Sequence, residues 1–188
     1  MYAVEIYAAV RHFVLVDSHS MRDSADEVLI TTGSMEALDL IISLFLAPGD
    51  AVIAEEATFG VVLARLAGID VTCRGARQDS HGIDIAHLSQ LLAEQKAAGN
   101  QAKFIYTIPT LHNPTGTVMP IDRRQQLSAL AEQHNCAIIE DDCYAELLWE
   151  GERPPAIRSL DATGRVIYCG SFSKSIAPAL RVGYLVAN

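Results

Sequence analysis

A chain of 188 residues, half of them hydrophobic, is long enough to bury a sizeable core, and it reads as one globular domain or as part of a larger protein. Its net charge of -9, with no lysine or arginine cluster, argues against a nucleic-acid surface. The four cysteines, at 73, 136, 143 and 169, have neither zinc-site spacing nor the density of a disulfide scaffold, which suits a reducing cytoplasm. The six histidines form no ligand pair at helical spacing, so no metal is expected.

Met1 to Val16 is apolar, but Glu5, Arg11 and His12 interrupt it and no basic leader or small-residue cleavage site is present. We read it as an amphipathic helix, not as a signal peptide, and expect no membrane partner. Strand and helix patterns then alternate. Val28 to Thr31 is a strand. Thr31-Thr32-Gly33-Ser34-Met35-Glu36 opens a helix that runs to Leu46 on the apolar positions Ala37, Leu38, Ile41, Ile42 and Phe45. A strand at Ala51 to Glu55, a helix over Thr58 to Ala67 and a strand at Asp70 to Cys73 come next. A helix from Asp84 to Ala97 leads to the strand Lys103 to Ile108, and a helix from Pro120 to His134 leads to the strand Ala137 to Glu140. Val166 to Cys169 and Val182 to Val186 complete the set. Pro48-Gly49-Asp50 and Pro154-Pro155 read as turns, and no internal repeat is visible. This order implies an α/β fold with a mainly parallel sheet covered by helices on both faces, in which ligands gather at the carboxyl ends of the strands.

The segments that carry chemistry sit at those strand ends. His112-Asn113-Pro114-Thr115-Gly116 follows one apolar run, and Glu140-Asp141-Asp142-Cys143-Tyr144 follows another. Gly170-Ser171-Phe172-Ser173-Lys174 follows a third, with Arg181 seven residues beyond the lysine. A lysine at the end of a buried strand, among hydroxyls and an arginine, is equipped to hold a phosphorylated aldehyde: the amine forms the imine and the other groups take the phosphate. The helix N-terminus at Gly33, Ser34 and Met35 offers unpaired N–H groups and a favourable dipole to the same phosphate, although Gly33-Ser34 read alone is more often a helix cap than a ligand site.

Asn113-Pro114-Thr115-Gly116, Asp141 with Tyr144 three residues on, and Ser171-Phe172-Ser173-Lys174 with Arg181 together resemble the class I/II aminotransferases, in that family's order and over most of the chain from Val28 onward. The resemblance implies pyridoxal 5'-phosphate as cofactor. It makes Lys174 the Schiff-base lysine and proton carrier, Asp141 the partner of the pyridine nitrogen, and Asn113 and Tyr144 donors to the ring's phenolic oxygen. Phe59 falls where the family stacks an aromatic ring on the pyridine, and it also reads as a core aromatic. Ser34, the backbone of Gly33 and Met35, and Ser171, Ser173 and Arg181 would hold the phosphate. Asp142 reads as a surface or helix-capping acid.

The resemblance is to the family's large domain, over residues 1–188. Residues 1–26 match no motif of the family's N-terminal arm, and the small C-terminal domain, with its arginine for the substrate carboxylate, has no counterpart in this sequence. The expected activity is transfer of an amino group from an amino acid to a 2-oxo acid, by a cytoplasmic homodimer, with a lean toward the aminoadipate and aromatic branch. A second reading is the cofactor-sensing, aminotransferase-like domain of a bacterial transcription regulator, although no helix-turn-helix pattern or basic stripe precedes Val28. A third rests on Ser171 to Lys174 as an S-x-x-K acyl-enzyme motif, which requires the serine to open a helix and lacks its partner motifs.

Overall fold

The computed structural model describes residues 24–188. The amphipathic helix expected over Met1 to Val16, and nearly all of the arm at 1–26, lie outside the described residues. The described chain builds β1 (Val28–Thr31), α1 (Ser34–Phe45), β2 (Ala51–Glu55), α2 (Gly60–Ala67), β3 (Thr72–Ala76) and a small hairpin of β4 (Gln78–Asp79) and β5 (Gly82–Ile83). It continues with α3 (Ile85–Ala97), β6 (Ala102–Thr107), α4 (Ile121–Gln133), β7 (Ala137–Asp141), α5 (Ile157–Leu160), β8 (Val166–Ser171) and β9 (Gly183–Val186).

One seven-stranded sheet has the order β1-β9-β8-β7-β6-β2-β3. The neighbours from β8 to β3 are parallel, and β9 runs antiparallel to both β8 and β1. The mainly parallel sheet is therefore present, with an antiparallel edge. Its central strands are apolar on both faces because helices cover both. Along β2, Val52 and Ala54 pack toward α1 and α2 while Ile53 packs toward α3 and α4. Phe104 and Tyr106 alternate with Ile105 in the same way, and Ile139 alternates with Ile138. This period of two extends to the end of β7 and sets the direction of its acidic residues. Asp141 shares the parity of Ile139 and the α1 side of the sheet, whereas Glu140 shares that of Ile138 and points toward α4.

Each helix buries its apolar stripe. Leu38, Ile41 and Ile42 of α1 and Leu88, Leu91 and Leu92 of α3 are all buried, at roughly 1.5–3 kcal/mol per large side chain. Asp84 caps α3 by accepting from the His87 N–H at 3.1 Å, a contact worth about 1 kcal/mol.

The structure shifts one expected strand. The run at Asp70 to Cys73 is instead β3 at Thr72–Ala76, because Asp70 takes a left-handed turn (φ 57°) and the strand pairs onward from Ala51↔Thr72 to Glu55↔Ala76.

Candidate active site

The carboxyl ends of β6, β7 and β8 meet the start of α1 around a cleft of about 240 Å³. Every residue that the resemblance assigns to the cofactor lines it except Gly33. A larger, mostly apolar groove of about 580 Å³, lined by Leu29, Leu44 and Phe45 among others, contains none of them.

Ser34 and Met35 open α1 beneath the cleft, and no side chain caps this helix. Gly33 stands at its N-cap with φ 82°, a conformation that costs glycine nothing. It also leaves room for Arg181, since a Cβ on Gly33 would lie 2.2 Å from Arg181 Nη2. Arg181, itself left-handed at φ 49°, reaches back across the start of α1. Its Nη1 donates to Ser173 Oγ at 3.2 Å and its Nη2 to the Thr32 carbonyl at 3.3 Å. Ser173 N–H in turn donates to Ser171 Oγ at 3.1 Å. A cation, two hydroxyls and a helix N-terminus therefore converge, which is the chemistry of an anion site.

The same cleft is lined by Lys174, Tyr144, Asn113 and Asp141. Lys174 is exposed, with Nζ 5.6 Å from the centre of the Tyr144 ring. Asn113 Nδ2 donates to the Tyr144 hydroxyl at 3.4 Å. Phe59, half-buried, caps α2 and lines the same wall.

Asp141 is buried. Its Oδ2 accepts from the Tyr106 hydroxyl at 2.6 Å. Its Oδ1 is buried and accepts no hydrogen bond of good geometry, although the nearby Cys143 thiol and N–H favour the carboxylate. Burial raises the Asp141 pKa above the ordinary carboxylate value, and the neighbouring Asp142 charge adds to the rise; Cys143 and Tyr106 oppose it without cancelling it.

The loop carrying Asn113 is fixed from behind. Glu55, at the end of β2, accepts from Thr107 Oγ1 at 2.8 Å, the Ile108 N–H at 2.9 Å and His112 Nε2 at 3.0 Å. Thr115 N–H donates to His112 Nδ1 at 3.3 Å, which leaves Nε2 as the ring's N–H.

One expectation is corrected. Asp142 is not a surface or capping acid but is buried on the far side of the sheet, where Arg153 Nη2 donates to its Oδ2 at 2.7 Å and the Tyr168 hydroxyl lies 3.3 Å away. Parity explains it: consecutive residues at the end of β7 face opposite ways. The acyl-enzyme reading also loses its footing, because Ser171 closes β8 and the chain continues in a turn, not a helix. The sequence reading missed Tyr106, Cys143 and Glu55. Tyr106 lay inside an apolar run and Glu55 at the end of one, and only the parity of β6 against β7 could have placed Tyr106 beside Asp141.

The chain matches the family described as aminotransferase class I and II over residues 2–188. It is 38% identical over 162 residues to aromatic-amino-acid aminotransferase 1 of Thermococcus litoralis, covering 86% of this chain and 39% of that protein. It is 34% identical to an uncharacterized HTH-type transcriptional regulator of Bacillus subtilis, covering 86% of this chain and 32% of the regulator. It superposes with a TM-score of 0.86, at 31% identity, on the crystal structure of an alpha-aminoadipate aminotransferase from Thermus thermophilus complexed with N-(5'-phosphopyridoxyl)-L-leucine, covering 97% of this chain and 45% of that one. The chain thus spans less than half the length of these relatives. From its sequence match and its fold alike, this chain belongs to the class I and II aminotransferases.

Proposed function

We propose that residues 1–188 form the pyridoxal-phosphate-binding large domain of an aminotransferase that moves an amino group from an amino acid to a 2-oxo acid. The observation that carries this reading is the buried Asp141 carboxylate, whose Oδ1 accepts no hydrogen bond of good geometry, in the cleft that Lys174 also lines. A buried carboxylate oxygen without a donor is costly, and a protonated ring nitrogen supplies both the donor and the compensating charge. The donor set around Arg181 in the same cleft fits a phosphate equally well. When bound, pyridoxal phosphate supplies an aldehyde carbon for the amine and an electron-withdrawing ring.

In this reading Lys174 Nζ would bind the cofactor's aldehyde and, when free, would carry the proton between the substrate and the cofactor. Asp141 would favour a protonated ring nitrogen. Asn113 and Tyr144 would donate to the phenolic oxygen and lower its basicity. Arg181, Ser171, Ser173, Ser34 and the N–H groups at the start of α1 would hold the phosphate, and Phe59 would supply an aromatic face for the ring. A cytoplasmic homodimer belongs to the same reading, supported by the family and by four free cysteines. Neither nucleic acid nor membrane is among its partners.

The similarity to an HTH-type regulator favours a second reading, a cofactor-sensing domain that binds but does not turn over. Single-turnover chemistry separates the two. The loaded protein mixed with 2-aminoadipate or an aromatic amino acid should release a stoichiometric amount of the 2-oxo acid, read by mass spectrometry. Cofactor that stays bound to Lys174 with no 2-oxo acid formed from any tested donor favours the regulator.

A further inference from the structure

We propose that Tyr106 is a positioning residue of the site: its hydroxyl holds Asp141 Oδ2, so that Oδ1 is presented to the cleft as the acceptor for the cofactor's ring nitrogen. The inference rests on the cofactor reading given above and extends it to a side chain that touches no ligand.

Tyr106 is 1% exposed, in the middle of the apolar layer between the sheet and α1. A phenol at such a place loses its hydration and needs a partner, and phenylalanine would fill the same volume without that cost. What the hydroxyl gains is one short bond, 2.6 Å to Asp141 Oδ2. The register makes this contact available. Tyr106 pairs with Ile139, so its side chain lies on the face of the sheet that Asp141 occupies two residues further along β7. The two oxygens of Asp141 are thereby made unequal, one engaged by the phenol and the other buried with no hydrogen bond of good geometry, in a residue that lines the cleft. Without the phenol the carboxyl group could rotate and would lack its donor from the core. The hydroxyl also acts on charge. A donor to Oδ2 favours the ionised carboxylate against the burial that opposes it. An ionised Asp141 keeps the proton on the ring nitrogen, whereas an Asp141 deprived of its donor draws that proton onto itself.

The test is a double-mutant cycle on the full chain with Tyr106→Phe, Asp141→Asn and the pair. It reads pyridoxal phosphate affinity by absorbance titration and ring-nitrogen protonation by nitrogen NMR of labelled cofactor. Tyr106→Phe should weaken binding about tenfold, as expected for loss of a hydrogen bond to a charged group, and should move the ring-nitrogen resonance toward neutral pyridine. In the Asp141→Asn background it should add no further loss, because its effect passes through the carboxylate. A packing role predicts an equal loss in both backgrounds and an unmoved resonance, and either result would overturn the proposal. Circular dichroism and thermal unfolding of each variant establish that the folded protein is being titrated. If the wild-type chain takes up no cofactor at Lys174, the cofactor reading fails and this inference with it. If wild type binds and Tyr106→Phe binds equally well, only this inference fails.

Discussion

Arg153 Nη2 stands 2.7 Å from Asp142 Oδ2, and this ion pair lies on the opposite side of the sheet from the cleft that Asp141 lines. Two adjacent carboxylates thus face opposite ways, one held in an ion pair and one lining the cleft. Asp142→Asn should destabilise the protein by about 1–3 kcal/mol, the range for breaking a largely buried charged hydrogen bond, and leave cofactor affinity near wild type. Asp141→Asn should do the reverse. Because burial disfavours its charge in the ligand-free protein, the variant should be no less stable, while pyridoxal phosphate binds at least about tenfold more weakly. Urea unfolding and absorbance titration of both variants separate the two roles.

Glu55 gathers three donors below the Asn113 loop, and an amide in its place could not accept from all of them. Glu55→Gln turns an N–H donor toward existing donors and should cost about 1–3 kcal/mol of stability. It should also release His112 and so loosen Asn113. Cofactor affinity should fall with stability, which distinguishes Glu55 from Asp142 when both variants are carried through the same unfolding and titration series.

Gly33→Ala tests the anion site. A methyl group there meets the Arg181 guanidinium, the movable end of a flexible side chain, but it must also adopt φ 82°. The expected cost is about 1 kcal/mol in stability, with a larger fractional loss of affinity for pyridoxal phosphate than for the phosphate-free aldehyde pyridoxal. Equal losses for both ligands would remove Arg181 and the start of α1 from the phosphate site.

Burial pushes the Glu140 carboxyl up from 4.5 to about 7, with the Asp142 charge adding to the rise, while Arg124 and the N–H groups of Ile157 and Arg158 oppose it. The folded state therefore holds this proton more tightly than the unfolded chain. Its contribution to stability is greatest below pH 4.5 and is lost as pH rises through about 7. Glu140→Gln removes that titration. The stability of wild type relative to the variant should decline across this window in denaturant unfolding series, and a flat difference would contradict the assignment.

The long elements and the strand-end motifs were legible in the sequence, because period-two and helical apolar patterns dominate where both faces of a sheet are covered. Short pieces were not legible. The β4–β5 hairpin contributes two residues per strand and α5 only four, too few for any periodicity. The edge strand β3 reads as polar because its Thr72, Cys73 and Gly75 are exposed. Within the site, the residues placed to touch a ligand carried motif signatures, whereas those that hold them did not. Tyr106 meets Asp141 across 35 residues of sequence and Glu55 meets His112 across 57, pairings that only strand register creates. Asp142 was misread for a related reason, since its partners Arg153 and Tyr168 are brought to it by the fold.

The most direct measurement is the position of the bound cofactor. The protein is incubated with pyridoxal phosphate, reduced with borohydride, digested and mapped by mass spectrometry. The expected result is a pyridoxyl group on Lys174, in the cleft that Arg181 also lines, and its disappearance in Lys174→Ala. Labelling of Lys103, which pairs with Asp50 at 3.5 Å on the sheet's other end, or of Lys96 in α3, with Lys174 unmodified, would contradict it.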